Sequence, residues 1–147
     1  MIPEDALQQA IAFLDRRFGL DVLWLFGSEA QGIARADSDV DFAALFRQPP
    51  TPLEIFDAQG DLAEILHRDV DLVDLDQASP ILGMQVLRHG RLLLDRDPRR
   101  RLAFFSWTVS MYEDLQILWW KAKASPEEIQ AYSARALDAF RNPNSGS

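Results

Sequence analysis

The sequence predicts an α/β (α+β) fold: a small mixed β-sheet of about four strands with packed helices and a C-terminal helical tail. Three observations predict it. Four short runs rich in strand formers alternate with segments whose apolar residues recur at helical spacing. Glycines and prolines punctuate the boundaries between them. Beyond Pro98 only helical patterning remains.

Residues 4–18 read as an amphipathic helix on Leu7, Ala10, Ile11 and Leu14, ended by Gly19. Residues 21–26 (DVLWLF) read as a buried strand, and residues 27–38 as a small, polar loop with room for one helical turn. Residues 39–46 (DVDFAALF) form a second strand whose first half alternates polar and apolar. Pro49, Pro50 and Pro52 break the chain. Thr51 then caps a helix over 52–67, with Pro52 in its first turn and Glu54 at the capping-box position. A third strand covers 70–75 (VDLVDL). Ser79 caps a helix from Pro80 that ends before Gly90, and 91–94 (RLLL) is a short fourth strand. Pro98 opens a long helix to about residue 123. A last helix starts near Ser125 and Pro126 and runs to 141. The domain reading is a core over 1–97, a helical extension of the same domain over 98–141, and a disordered tail over 142–147.

Composition narrows the function. Of 147 residues, 48% are apolar and 26% charged, the balance of an ordinary globular domain with one core. The absence of cysteine excludes disulfides and thiolate metal sites. The opening MIPEDALQQA has neither the basic start nor the apolar run of a signal peptide, and no stretch approaches the ~20 apolar residues of a membrane span. The expectation is a soluble, cytoplasmic protein with no membrane contact. A net charge of −8 would repel a long phosphate backbone, which argues against direct nucleic-acid binding. A nucleotide carried with a divalent cation remains compatible, because local carboxylates can hold the metal.

Asp39 and Asp41 stand two apart at the start of the second strand, so their carboxylates share a face. Two like charges so close repel unless a cation sits between them, and Mg²⁺ is held by one or two carboxylates plus substrate phosphates. Asp71 lies between Val70 and Leu72 and joins the pair if the second and third strands are neighbours. Three carboxylates can hold two cations ~4 Å apart, the arrangement used for in-line phosphoryl displacement. One ion would carry a triphosphate; the other would lower the pKa of the attacking hydroxyl, whose proton Asp71 is placed to accept. Asp39, Asp41 and Asp71 are thus the candidate catalytic and metal-binding residues, against the plainer reading of solvated or capping aspartates. An EF-hand also opens D-x-D-x-D, as Asp37, Asp39 and Asp41 do, but Phe42 and Gln48 occupy positions where that loop needs glycine and glutamate. Gly27 and Ser28 follow directly on the first strand. The glycine lets backbone amides approach a phosphate, and the serine hydroxyl can donate to one, so both are candidate nucleotide-binding residues rather than a plain turn.

Gly27-Ser28, the spacer 29–38 and Asp39-Val40-Asp41 resemble the signature of the DNA polymerase β-like nucleotidyltransferase superfamily. Ala30, Gly32, the run Ser38-Asp39-Val40-Asp41-Phe42 and the strand Val70-Asp71-Leu72 are similar to its minimal nucleotidyltransferases, the MNT proteins. The resemblance covers the first two-thirds of the chain, and the helical tail in length and style. One departure stands at Gln31, where MNT proteins often carry arginine; Arg35 is the basic residue four positions on. The resemblance implies a polymerase β-like fold, ATP as substrate and Mg²⁺ as cofactor. It further implies an antitoxin that transfers AMP to a tyrosine of a cognate HEPN-domain ribonuclease toxin. Transfer to a small hydroxylated acceptor such as an aminoglycoside, and a non-catalytic antitoxin acting by occlusion, are the alternatives.

In the long helix, Phe104, Trp107, Met111, Leu115 and Leu118 form one stripe, and Phe105, Tyr112 and Trp119 extend a second. A helix apolar over so much of its surface is expected to be buried on more than one side, either by the sheet and the last helix or by a partner. Arg96, Arg99, Arg100 and Arg101 cluster at its start, where cations oppose the helix dipole. They read as contacts to a partner or phosphate, or as a basic turn paired with the many carboxylates. His67 and His89 are assigned no role.

Overall fold

In the computed structural model, which describes residues 2–32, 38–128 and 130–131, the element order is α1 (Glu4–Phe18), β1 (Leu20–Phe26), β2 (Val40–Phe46), α2 (Pro52–Leu66), β3 (Val70–Asp74), α3 (Pro80–His89), β4 (Arg91–Asp95) and α4 (Pro98–Lys123). Local chemistry accounts for the ends. The Thr51 hydroxyl accepts from Glu54 N while the Glu54 carboxylate accepts from Thr51 N, a complete capping box with Pro52 beside it. Ser79 caps α3 through Leu82 N. Ser125 Oγ accepts from Glu128 N and opens the next helical turn, which residues 130 and 131 continue; residues 129 and 132–141 of that expected helix and the tail 142–147 lie outside the described residues.

The four strands run in the order β3-β2-β1-β4. β1 is antiparallel to both β2 and β4, whereas β2 and β3 are parallel and joined through α2, so the sheet is mixed. Leu23 and Leu25 of β1 and Phe42 and Ala44 of β2 pack with Leu14 of α1 and Leu62 of α2. The alternate residues, Val22, Trp24, Ala43 and Leu45, pack with Val86 of α3 and Phe104 of α4. Burial on both faces explains why β1 and β2 read as nearly continuous apolar runs.

The chain divides into two compact units, Met1–Val109 and Ser110–Ser147, the boundary falling inside α4. In the first unit, Gly83 admits α4 to α3: a Cβ there would stand 3.0 Å from Thr108 Cγ2. Of the two ways in which α4 was expected to be covered, burial by its own chain on more than one side is not met among the described residues. Among its described residues only Phe104 and Thr108 are buried, while Leu118 and Trp119 of the second unit are 63% and 65% exposed. Its apolar groups are spread around the helix, so contact along one face covers few of them.

The basic cluster resolves into ion pairs. Arg96 pairs with Asp15 at 2.6 Å and Arg101 with Asp95 at 2.7 Å. Arg100 reaches Asp21 at 2.9 Å, the Phe46 carbonyl at 2.7 Å, and Asp76. Arg99 is exposed. Of the two expectations, pairing with the chain's own carboxylates is the one met by Arg96, Arg100 and Arg101. No described helix is long and apolar enough to cross a membrane.

Candidate active site

Sheet order decides which carboxylates meet. Asp41 stands opposite Asp71 in the parallel pairing of β2 with β3, and opposite Phe26 in the antiparallel pairing with β1. The end of β1, where the chain enters Gly27 and Ser28, therefore lies beside the starts of β2 and β3. Phe42 and Ala44 face the α1–α2 core, as do Val70 and Leu72 of β3. By alternation Asp41 and Asp71 both project to the α3 face. Asp41 is half-buried; Asp39 and Asp71 are exposed.

The Asp41 carboxyl is pushed up to about 6, with burial the largest cause. Three further causes add to it: the charge of Asp71, a hydrogen bond to Asp71 that only protonated Asp41 can donate, and the charge of Asp39. Asp41 and Asp71 are in contact, and Asp39 is near enough for its charge to be felt. Among the described residues no three Asp, Glu, His or Cys side chains close into a metal-binding group. The donor set nevertheless suits Mg²⁺. It is all carboxylate oxygen, and beside the larger effect of burial the negative charges of Asp71 and Asp39 both raise Asp41, a repulsion that a bound cation would relieve.

Gly27 has a φ of +74°, and a side chain there would overlap Asp41 Oδ2. Glycine is thus required twice, by the backbone and by the carboxylate packed against it. The expected helical turn follows: Gln31 N donates to Gly27 O and Gly32 N to Glu29 O, each at 3.3 Å. Ser28 is half-buried in this turn and Gln31 is exposed; Arg35 and Asp37 lie outside the described residues.

Arg68 was not singled out by the sequence reading. Its Nε donates to the Ser38 carbonyl at 2.8 Å, and its Nη1 pairs with Glu29. The available signal was faint: a basic residue three positions before Asp71 in an acidic stretch.

A family model described as "Polymerase beta, Nucleotidyltransferase" matches residues 8–99. The protein adenylyltransferase MntA of Shewanella oneidensis is 38% identical over 97 residues, 66% of this chain and 69% of that one. A chain in the crystal structure of a toxin–antitoxin with AMP-PNP superposes with a TM-score of 0.67 at 32% identity, covering 88% of this chain and 98% of the other. A chain from a tri-AMPylated Shewanella oneidensis HEPN toxin in complex with MNT antitoxin gives 0.62 at 28% identity, covering 91% and 95%.

Proposed function

This chain belongs to the polymerase β nucleotidyltransferase family, and from that premise we propose that it is an antitoxin that transfers AMP from ATP to a tyrosine of a cognate HEPN-domain toxin. The observation that carries the reading is the contact of Asp41 with Asp71 against the Gly27 turn, with the charge of Asp39 beside it. The likeness to a protein adenylyltransferase MntA and to toxin–antitoxin structures supports the acceptor class. The reading sets the chain in the cytoplasm, where ATP is at hand, and assigns catalysis to residues 1–97 and partner contact to the helical extension over 98–141.

Each side chain then has a task. Gly27 lets the turn approach the triphosphate, and the Ser28 hydroxyl donates to a phosphate oxygen. Asp39, Asp41 and Asp71 would hold Mg²⁺, two ions in the full assignment; when bound, Mg²⁺ neutralises triphosphate charge and acidifies the acceptor hydroxyl. Asp71 accepts the proton of the attacking tyrosine hydroxyl. The oxygen–phosphorus bond to AMP forms as the bond between the α- and β-phosphates breaks, and pyrophosphate leaves.

The test is incubation of the full chain with ATP, Mg²⁺ and its cognate HEPN-domain protein, followed by mass spectrometry of both. AMP on a toxin tyrosine is the expected result. A toxin that is neutralised yet unmodified would overturn the enzymatic reading in favour of occlusion by the exposed apolar side chains of α4.

A further inference from the structure

We propose that Arg68 is a positioning residue for the transfer site, fastening both arms of the loop between β1 and β2 to the base of β3. α2 stops at Leu66, and His67, in the left-handed region at φ 55°, turns the chain so that Arg68 enters the sheet at the foot of β3. From there Nε takes the Ser38 carbonyl and Nη1 takes Glu29. Glu29 follows Ser28 directly, and Ser38 directly precedes Asp39. The backbone completes the join, with Val40 N donating to Asp69 O at 2.9 Å. One guanidinium thus touches the nucleotide-binding arm and the aspartate arm, and it stands three residues ahead of Asp71.

The pair is desolvated, Arg68 being 10% and Glu29 5% exposed. A buried ion pair spends most of its attraction on desolvation, so it is a poor source of net stability. A planar guanidinium is a good source of geometry, because its donors leave in fixed directions and set two acceptors relative to each other. Lysine, a single point charge, cannot copy that fork. Arg68 acts on the triphosphate only through the segments it holds.

This inference rests on the function proposed above, and its test separates the two. The full chain is compared with Arg68→Lys and with Glu29→Gln/Arg68→Met, reading thermal midpoint and the affinity for AMP-PNP with Mg²⁺ by calorimetry well below every midpoint. Arg68→Lys keeps a charge for Glu29, and the double variant removes both charges of the Arg68–Glu29 pair together; the thermal midpoint shows that each variant is folded at the temperature of the binding measurement. Both should bind AMP-PNP about tenfold or more weakly, since small displacements of a positioned group weaken a site out of proportion. Wild-type affinity in either folded variant overturns the positioning role. Failure of the unmodified chain to bind AMP-PNP with Mg²⁺ overturns the functional reading and this inference with it.

Discussion

At Asp41 an acidic group sits among acidic groups, and the consequence has a sign. Its folded pKa of about 6 lies above the ordinary 3.8, so between those values the folded chain holds a proton that the unfolded chain has released. Asp41 therefore subtracts stability progressively as pH rises from roughly 4 through about 6, and the loss stays in place above that. Asp41→Asn removes this dependence. Its thermal midpoint relative to the unmodified chain should be higher at neutral pH than near pH 4, and melts across that range without divalent cations check it. A difference that is flat with pH would mean that the carboxyl titrates normally. Ser28→Ala should cost one charge-assisted hydrogen bond, worth about 1.5–3 kcal/mol, or roughly tenfold to a hundredfold in AMP-PNP affinity. An unchanged affinity would leave Gly27 and Ser28 as a turn alone. Asp39 and Asp41 were legible because i, i+2 spacing on a strand is a local rule, and Asp71 only on the condition that β2 and β3 are neighbours, which the parallel pairing meets. Arg68 was not, because its partners lie 30 and 39 positions away and no periodicity marks such a pair.

Elements followed the sequence closely wherever a short-range device sets their ends. The boundaries of α1 and α4, the Thr51 capping box and the Ser79 cap all come from residues within one turn of the boundary they set. What spacing cannot give is the neighbour. The apolar density of α4 announced a helix that wants covering, but whether its own chain covers it depends on tertiary geometry. The arginines at its head likewise left two readings open, a partner or the chain's own carboxylates, until the fold brought Asp15, Asp21 and Asp95 to Arg96, Arg100 and Arg101. Two substitutions along α4 separate the buried from the exposed positions. Phe104 packs against Trp24 with ring centroids 6.0 Å apart, so Phe104→Ala should destabilise by about 3–5 kcal/mol. Leu118 is exposed, so Leu118→Glu should change stability by no more than ~0.5 kcal/mol while weakening association with the HEPN-domain partner proposed above. Denaturant unfolding and a pull-down read the two effects. A Leu118→Glu chain that unfolds easily would show the position to be core.

Across the whole molecule the acidic site and the exposed apolar side chains of the second unit are chemically unlike, and they are carried by different stretches of chain. Gly27, Ser28, Asp39, Asp41 and Asp71 all fall within Met1–Val109, whereas Leu115, Leu118 and Trp119 fall within Ser110–Ser147. If the apolar surface binds the partner and the carboxylates modify it, the two acts should separate by mutation. Asp71→Asn removes a charge at an exposed position with little change of size, so the fold and the partner contact should survive. AMP-PNP binding should weaken modestly if Asp71 also meets a metal. Transfer should fall much further, by about 10²–10⁴-fold, because a positioned base acts mainly in the transition state. Co-expression with the toxin, alongside a pull-down and mass spectrometry of the toxin, distinguishes the outcomes. An antitoxin that works by modification, once altered in this way, still captures its toxin and no longer protects the cell. Full protection by Asp71→Asn with an unmodified toxin would mean that binding alone suffices and that the carboxylates serve some other purpose.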